Sequence, residues 1–196
     1  MCDIADFKDL VVAAAAATTA TAAVIGLNKW RSELRGRTYL EAYRNILRAT
    51  YKLREEVRMC RSRLIRAQEF PEDADPNSEN REEQLKAYAH VYRNRWNPVR
   101  EAVVEHETWL TEAEVLWGKE ARELGEVIQK LVHELFVSIE SYLEDLSVPP
   151  EDRDKEFTKS LRKKMHGSPE DEWFQKLVDA IDSFESFLKS NVAKYA

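Results

Sequence analysis

The chain has 196 residues, enough for one domain with a sizeable core. Only 5 Gly and 6 Pro stand beside 34% charged residues, which excludes a turn-rich β fold and points to long helices with charged surfaces. Two cysteines, Cys2 and Cys60, make neither a disulfide framework nor a metal spacing, and the net charge of −6 conceals a strong asymmetry.

Residues 1–28 carry Asp3, Asp6, Asp9 and Lys8, net −2. Residues 29–68 hold 12 Lys/Arg against 4 Asp/Glu, net +8, and residues 69–196 hold 17 against 29, net −12. A basic block followed by an acidic one fits two lobes that attract each other, or a basic face turned toward something anionic.

After a short acidic tail, 1–9, residues 10–27 read LVVAAAAATTATAAVIGL without a charge. As a helix this run of 18 residues covers about 27 Å, near the thickness of a hydrocarbon core. Lys29, Trp30, Arg31, Arg35 and Arg37 follow as interfacial anchors, and their positive charge places the C-terminal flank in the cytosol. The expectation is a transmembrane helix; the alternative is an Ala-rich helix buried in a soluble bundle or oligomer. An acidic rather than basic start speaks against a cleaved signal peptide. Within the run, Ala14, Thr18, Ala22 and Gly26 recur every fourth residue and form a face of small residues suited to close helix association.

A basic helix is expected over 28–68. Tyr39, Tyr43, Ile46, Thr50, Leu53, Val57, Cys60 and Leu64 are spaced 4,3,4,3,4,3,4, a heptad seam for helix packing. Residues 69–80 read as an acidic, proline-containing linker. From 81 to 147 the apolar periodicity runs through Leu85, Tyr92, Val99, His106, Leu110, Trp117, Ile128, Leu135 and Leu146. It stays in phase across Pro98, which fits a kinked helix, although Asn97-Pro98 also reads as a cap and first residue of a new one. Gly118 and Gly125 weaken this stretch without interrupting its pattern. Val148-Pro149-Pro150 breaks the chain, and two helices complete 148–196, the second capped by Ser168 with Pro169 at its first position. The expected fold is all-α, an N-terminal transmembrane helix continuing into an antiparallel cytosolic bundle with coiled-coil-like packing.

No catalytic, cofactor or metal signature emerges. His133-Glu134 lacks the second histidine of a zincin, and no histidine follows a glutamate at the di-iron spacing. Trp117-Gly118-Lys119-Glu120 lacks the upstream glycines of a phosphate loop. Arg58, Arg61, Arg63 and Arg66 cluster without an aromatic platform, so nucleic acid is not an expected partner.

The stretch KWRSELRGRTYLEAYRNILRATYKLREEVR, 29–58, resembles a group of uncharacterised bacterial proteins that join a short membrane helix to a basic, Trp-containing helix. LTEAEVLWGKE, 110–120, is similar to their second block. The resemblance implies a bacterial inner-membrane protein facing the cytosol and transfers no residue roles. The expected function is a membrane-anchored helical scaffold that self-assembles, as a parallel oligomer through α-helical zipping of its N-terminal half, or binds a protein partner. The alternatives are a pore-forming effector of antiviral or toxin type, with Thr18, Thr19 and Thr21 as a polar lining, and a soluble oligomeric adaptor.

Overall fold

The computed structural model describes residues 4–168 and 171–194, and every regular element among them is helical. Helix α1 spans Ile4–Cys60, α2 Arg81–Trp117, α3 Lys119–Ser147, α4 Lys155–Met165 and α5 Glu172–Val192, with a 3-10 turn at Ala67–Glu69.

The seam on α1 packs where its spacing predicts. Ile46, Thr50, Leu53, Val57 and Cys60 are buried, and Tyr39 and Tyr43 are half-buried at its start. Thr50 is accommodated because its hydroxyl donates to the Ile46 carbonyl at 2.7 Å, leaving no unmet polar group. Leu64 departs from the expectation. The helix ends at Cys60, four residues short of Leu64, which stands 68% exposed beyond it. Arg95 holds this end: its guanidinium donates to the carbonyls of Ser62 and Leu64, both at 2.6 Å, and to both carboxylate oxygens of Glu69. Those bonds secure the bend that replaces the helix predicted to Gln68.

Helix α2 starts on Asn80, whose side chain accepts from the Glu82 N–H. It runs unbroken through Pro98, so no new helix begins there. The break falls at Gly118 instead, where φ is +81° and ψ is −172°, backbone space essentially restricted to glycine. This single residue folds α3 back along α2. Leu110 then packs over Gly125, where an added Cβ would collide with its side chain, and Trp96 meets Phe136 and Tyr92 meets Tyr142 further along.

Helix α2 is also antiparallel to α1, as Tyr39–Trp117 and Lys52–Glu105 contacts show. Helix α5 is antiparallel to α1 in turn, with Tyr51 donating to Glu185 at 2.5 Å near one end and Arg61 bound to Asp171 at the other. Its buried stripe is Trp173, Leu177, Ile181, Phe184 and Leu188. The cap of α5 is Asp171, accepting from the Phe174 N–H, rather than Ser168; Pro169 and Glu170 lie outside the described residues. Short α4 closes the end of the bundle where α1 stops, and Asp154 caps it through the N–H groups of Glu156 and Phe157.

The expectation of a single-pass inner-membrane protein requires correction. Among the described residues no helix is long and apolar enough to cross a membrane. The run 10–27 is helical, as part of α1, but the side chains of Leu10, Val11, Ala13 and Ala16 lie outside those described. Along the fully described residues from Ala17 on, eleven uncharged residues precede Asn28 and the charges of Lys29, Arg31 and Glu33, fewer than a span needs. The inner-membrane location, and with it the cytosolic assignment of the C-terminal part, is therefore not supported.

Candidate interaction surface

The bundle uses only part of α1. Its first buried residue on this helix is Ala42, and Tyr39, edge-on to Trp117 at 6.0 Å, marks the bundle's edge. Every described side chain from Val12 to Arg35 is exposed. From Val12 to Arg35 the helix therefore runs clear of the bundle over about 36 Å.

Local chemistry explains why the chain is helical here without tertiary support. Alanine has the highest helix propensity, and no proline interrupts the segment. Thr18, Thr19 and Thr21 turn their hydroxyls back onto the carbonyls of Ala14, Ala15 and Ala17 at 2.7, 2.9 and 2.8 Å. Those hydroxyl protons are thus satisfied within the helix.

The projecting segment is not uniformly small. Leu27, Trp30 and Leu34 are 48%, 59% and 51% exposed. Together with Ala20 and Ala23 they follow spacings of 3,4,3,4, an apolar seam on one face. The bundle seam starts five residues after Leu34, at Tyr39, which places it about 140° further round the helix. The two stripes therefore look in different directions, and a partner lying on the first need not displace α2 or α5 from the second.

Sequence-predicted site residues sort accordingly. Ala14, Thr18, Ala22 and Gly26 are all exposed, and Gly26 has nothing within 4 Å of where a Cβ would stand. Ala14, Thr18 and Ala22 look away from the Leu27–Trp30–Leu34 face, whereas Gly26, four residues before Trp30, borders it. Lys29, Arg31, Arg35 and Arg37 are exposed around the helix, and only Trp30 of the five expected anchors lies on the seam. The seam is invisible when residues 10–27 are read as one lipid-facing unit, because that division from the basic helix falls where the seam crosses.

The bundle's polar interior is structural in character. Arg61 is 2% exposed, donates from Nε to the Lys164 carbonyl at 2.7 Å and from Nη2 to Asp171 at 3.0 Å, and lies 4.5 Å over the Trp173 ring. Cys60 is buried, and desolvation pushes its thiol up to about 12 despite nearby Arg95 and Arg61. His106 is fully buried between α2, α3 and α5; burial pushes it down to about 4, against the opposing pull of Glu107. Its Nδ1 faces the Gln129 amide at 3.4 Å. Among the described residues no group of His, Cys, Asp or Glu could hold a metal ion. No protein family, no curated protein and no solved structure matches the chain.

Proposed function

We propose that this protein is a helical interaction module: a rigid bundle that presents the first half of α1 as a docking element for protein assembly. One observation carries the reading, the apolar seam of Ala20, Ala23, Leu27, Trp30 and Leu34 on a stretch of α1 whose described side chains are all exposed. Monomeric proteins rarely leave such contiguous apolar surface open unless it meets a partner. An isolated helix is also marginal in water, and a partner supplies the packing that tertiary contacts supply elsewhere. The bundle's own surface offers no comparable stripe; its exposed large hydrophobes, such as Val104, Val115 and Phe157, are scattered.

Deleting residues 1–36 tests the proposal. The remaining chain keeps its helical signal and cooperative melting, because the buried set on α1 begins at Ala42. It sediments as a monomer while the full chain forms a larger assembly, with itself or with an added protein. If the deletion unfolds the bundle, or leaves assembly unchanged, the projecting helix is not the docking element.

A further inference from the structure

Resting on that reading, we infer that the occupant of the exposed seam is a second copy of this chain, paired antiparallel about residue 25. Two properties of the helix select this arrangement. The first is size. The seam is small at one end, Ala20 and Ala23, and large at the other, Leu27, Trp30 and Leu34. An antiparallel pair centred on residue 25 sets Ala23 opposite Leu27 of the second copy and Ala20 opposite Trp30, with each layer repeated by the two-fold axis. Every large side chain then meets a small one, and the helices approach at even spacing. A parallel pair stacks alanine on alanine and Trp30 on Trp30, so that one end gapes where the other touches.

The second property is charge. Residues 29–37 carry Lys29, Arg31, Arg35 and Arg37 against Glu33 alone, net +3, while residues 13–21 carry no charge. Parallel pairing lays the two +3 segments side by side. Antiparallel pairing about residue 25 lays each against an uncharged segment and separates the like charges along the axis, removing a repulsion comparable to that which specifies coiled-coil partners. The same register leaves Ala14, Thr18 and Ala22 on the outer surface and Gly26 at the border of the contact. The seam's direction, away from α2 and α5, allows the two bundles to sit at opposite ends of the paired helices.

The test uses the full chain. Sedimentation equilibrium gives a mass twice the protomer's 22.8 kDa. Leu27→Asp with Leu34→Asp halves it, whereas Thr18→Leu with Ala22→Leu, on the other face, leaves it doubled. Orientation is read by electron spin-echo distances from a label at Ala14→Cys in a Cys2→Ser background; Cys60, buried with its thiol pushed up to about 12, stays unlabelled. Antiparallel pairing places the two labels about 33 Å apart along the axis, and parallel pairing holds them within about 20 Å. A short distance overturns the antiparallel register while the docking reading stands. A full chain that is monomeric at all concentrations overturns self-pairing, and a monomer that a different protein's helix occupies at the seam leaves only the general reading. Loss of dimer in the Thr18, Ala22 variant moves the contact to the small-residue face and overturns the inference.

Discussion

Arg61 belongs to a run of arginines that resembles a solvated basic surface, and its neighbours Arg58 and Arg63 point to water. It differs because α1 ends one residue earlier, so the chain turns and carries this side chain inward under the α4–α5 connection. There it satisfies the last carbonyl region of α4, pairs with Asp171 and stacks on Trp173. Removing one member of a buried ion pair leaves the other uncompensated, at a typical cost of 3–5 kcal/mol. Asp171 is 17% exposed, which moderates the penalty, so Arg61→Ala is expected to lower stability by about 3 kcal/mol in urea unfolding. Arg63→Ala, at an exposed position, changes it by less than about 0.5 kcal/mol. His106 provides a second residue-scale expectation, in pH. Its folded pKa lies below the unfolded value, so the unfolded chain binds the extra proton first. Stability is therefore lost as pH falls from 6.5 toward about 4 and the loss levels off below that. The contribution is about 3 kcal/mol across the window. His106→Leu should flatten that part of the stability profile, and an unchanged slope would show that other groups, among them half-buried His166, produce it.

At the scale of elements, Gly118 and Pro98 exchange the roles their identities suggest. Pro98 interrupts one helical hydrogen bond yet sits exposed on α2, whose neighbours Val99 and Ala102 are buried, so packing on both sides holds the helix together. Gly118 would cost a helix only about 1 kcal/mol, but here it adopts a conformation other residues resist, and the α2–α3 hairpin depends on it. Gly118→Ala is expected to cost about 1–3 kcal/mol in thermal or urea unfolding. Stabilisation instead would mean that the turn relaxes into a continuous helix. The stripes of α2, α3 and α5 were legible because their apolar periodicity extends over many turns. The hairpin was not, because the periodicity of α2 and α3 stays in phase across Gly118 while the chain reverses. Attraction between the basic and acidic blocks was legible too: Lys52 meets Glu105 and Arg61 meets Asp171 across helices. The first half of α1 is ambiguous in sequence for a simple reason. A long uncharged alanine run is compatible with lipid, with a core and with an exposed helix, and its lack of packed neighbours among the described residues excludes only burial in this bundle's core.

For the whole molecule, the structure divides into a part held by its own core and a part that, in the proposed pairing, is held by a second chain. The bundle carries buried side chains from five helices, including Ile46, Leu110, Ile128, Leu135 and Phe184, and its unfolding is set within one chain. The projecting half of α1 has only helix propensity and the seam, so its order follows the concentration of partners by mass action. Two transitions are expected in thermal melts followed by circular dichroism. The lower one moves upward as protein concentration rises, because dissociation of the paired helices accompanies their fraying. The upper one stays fixed, because the bundle unfolds as a monomer. Hydrogen exchange assigns them: amides between residues 17 and 36 lose protection on dilution, and those from Ile46 to Val57 keep it until the bundle opens. Leu27→Asp with Leu34→Asp removes the lower transition's concentration dependence and leaves the upper unchanged, since neither side chain touches the core. A single transition whose midpoint rises with concentration would mean that bundle and projecting helix form one cooperative unit, and that the dimer contact extends beyond the seam into the bundle itself.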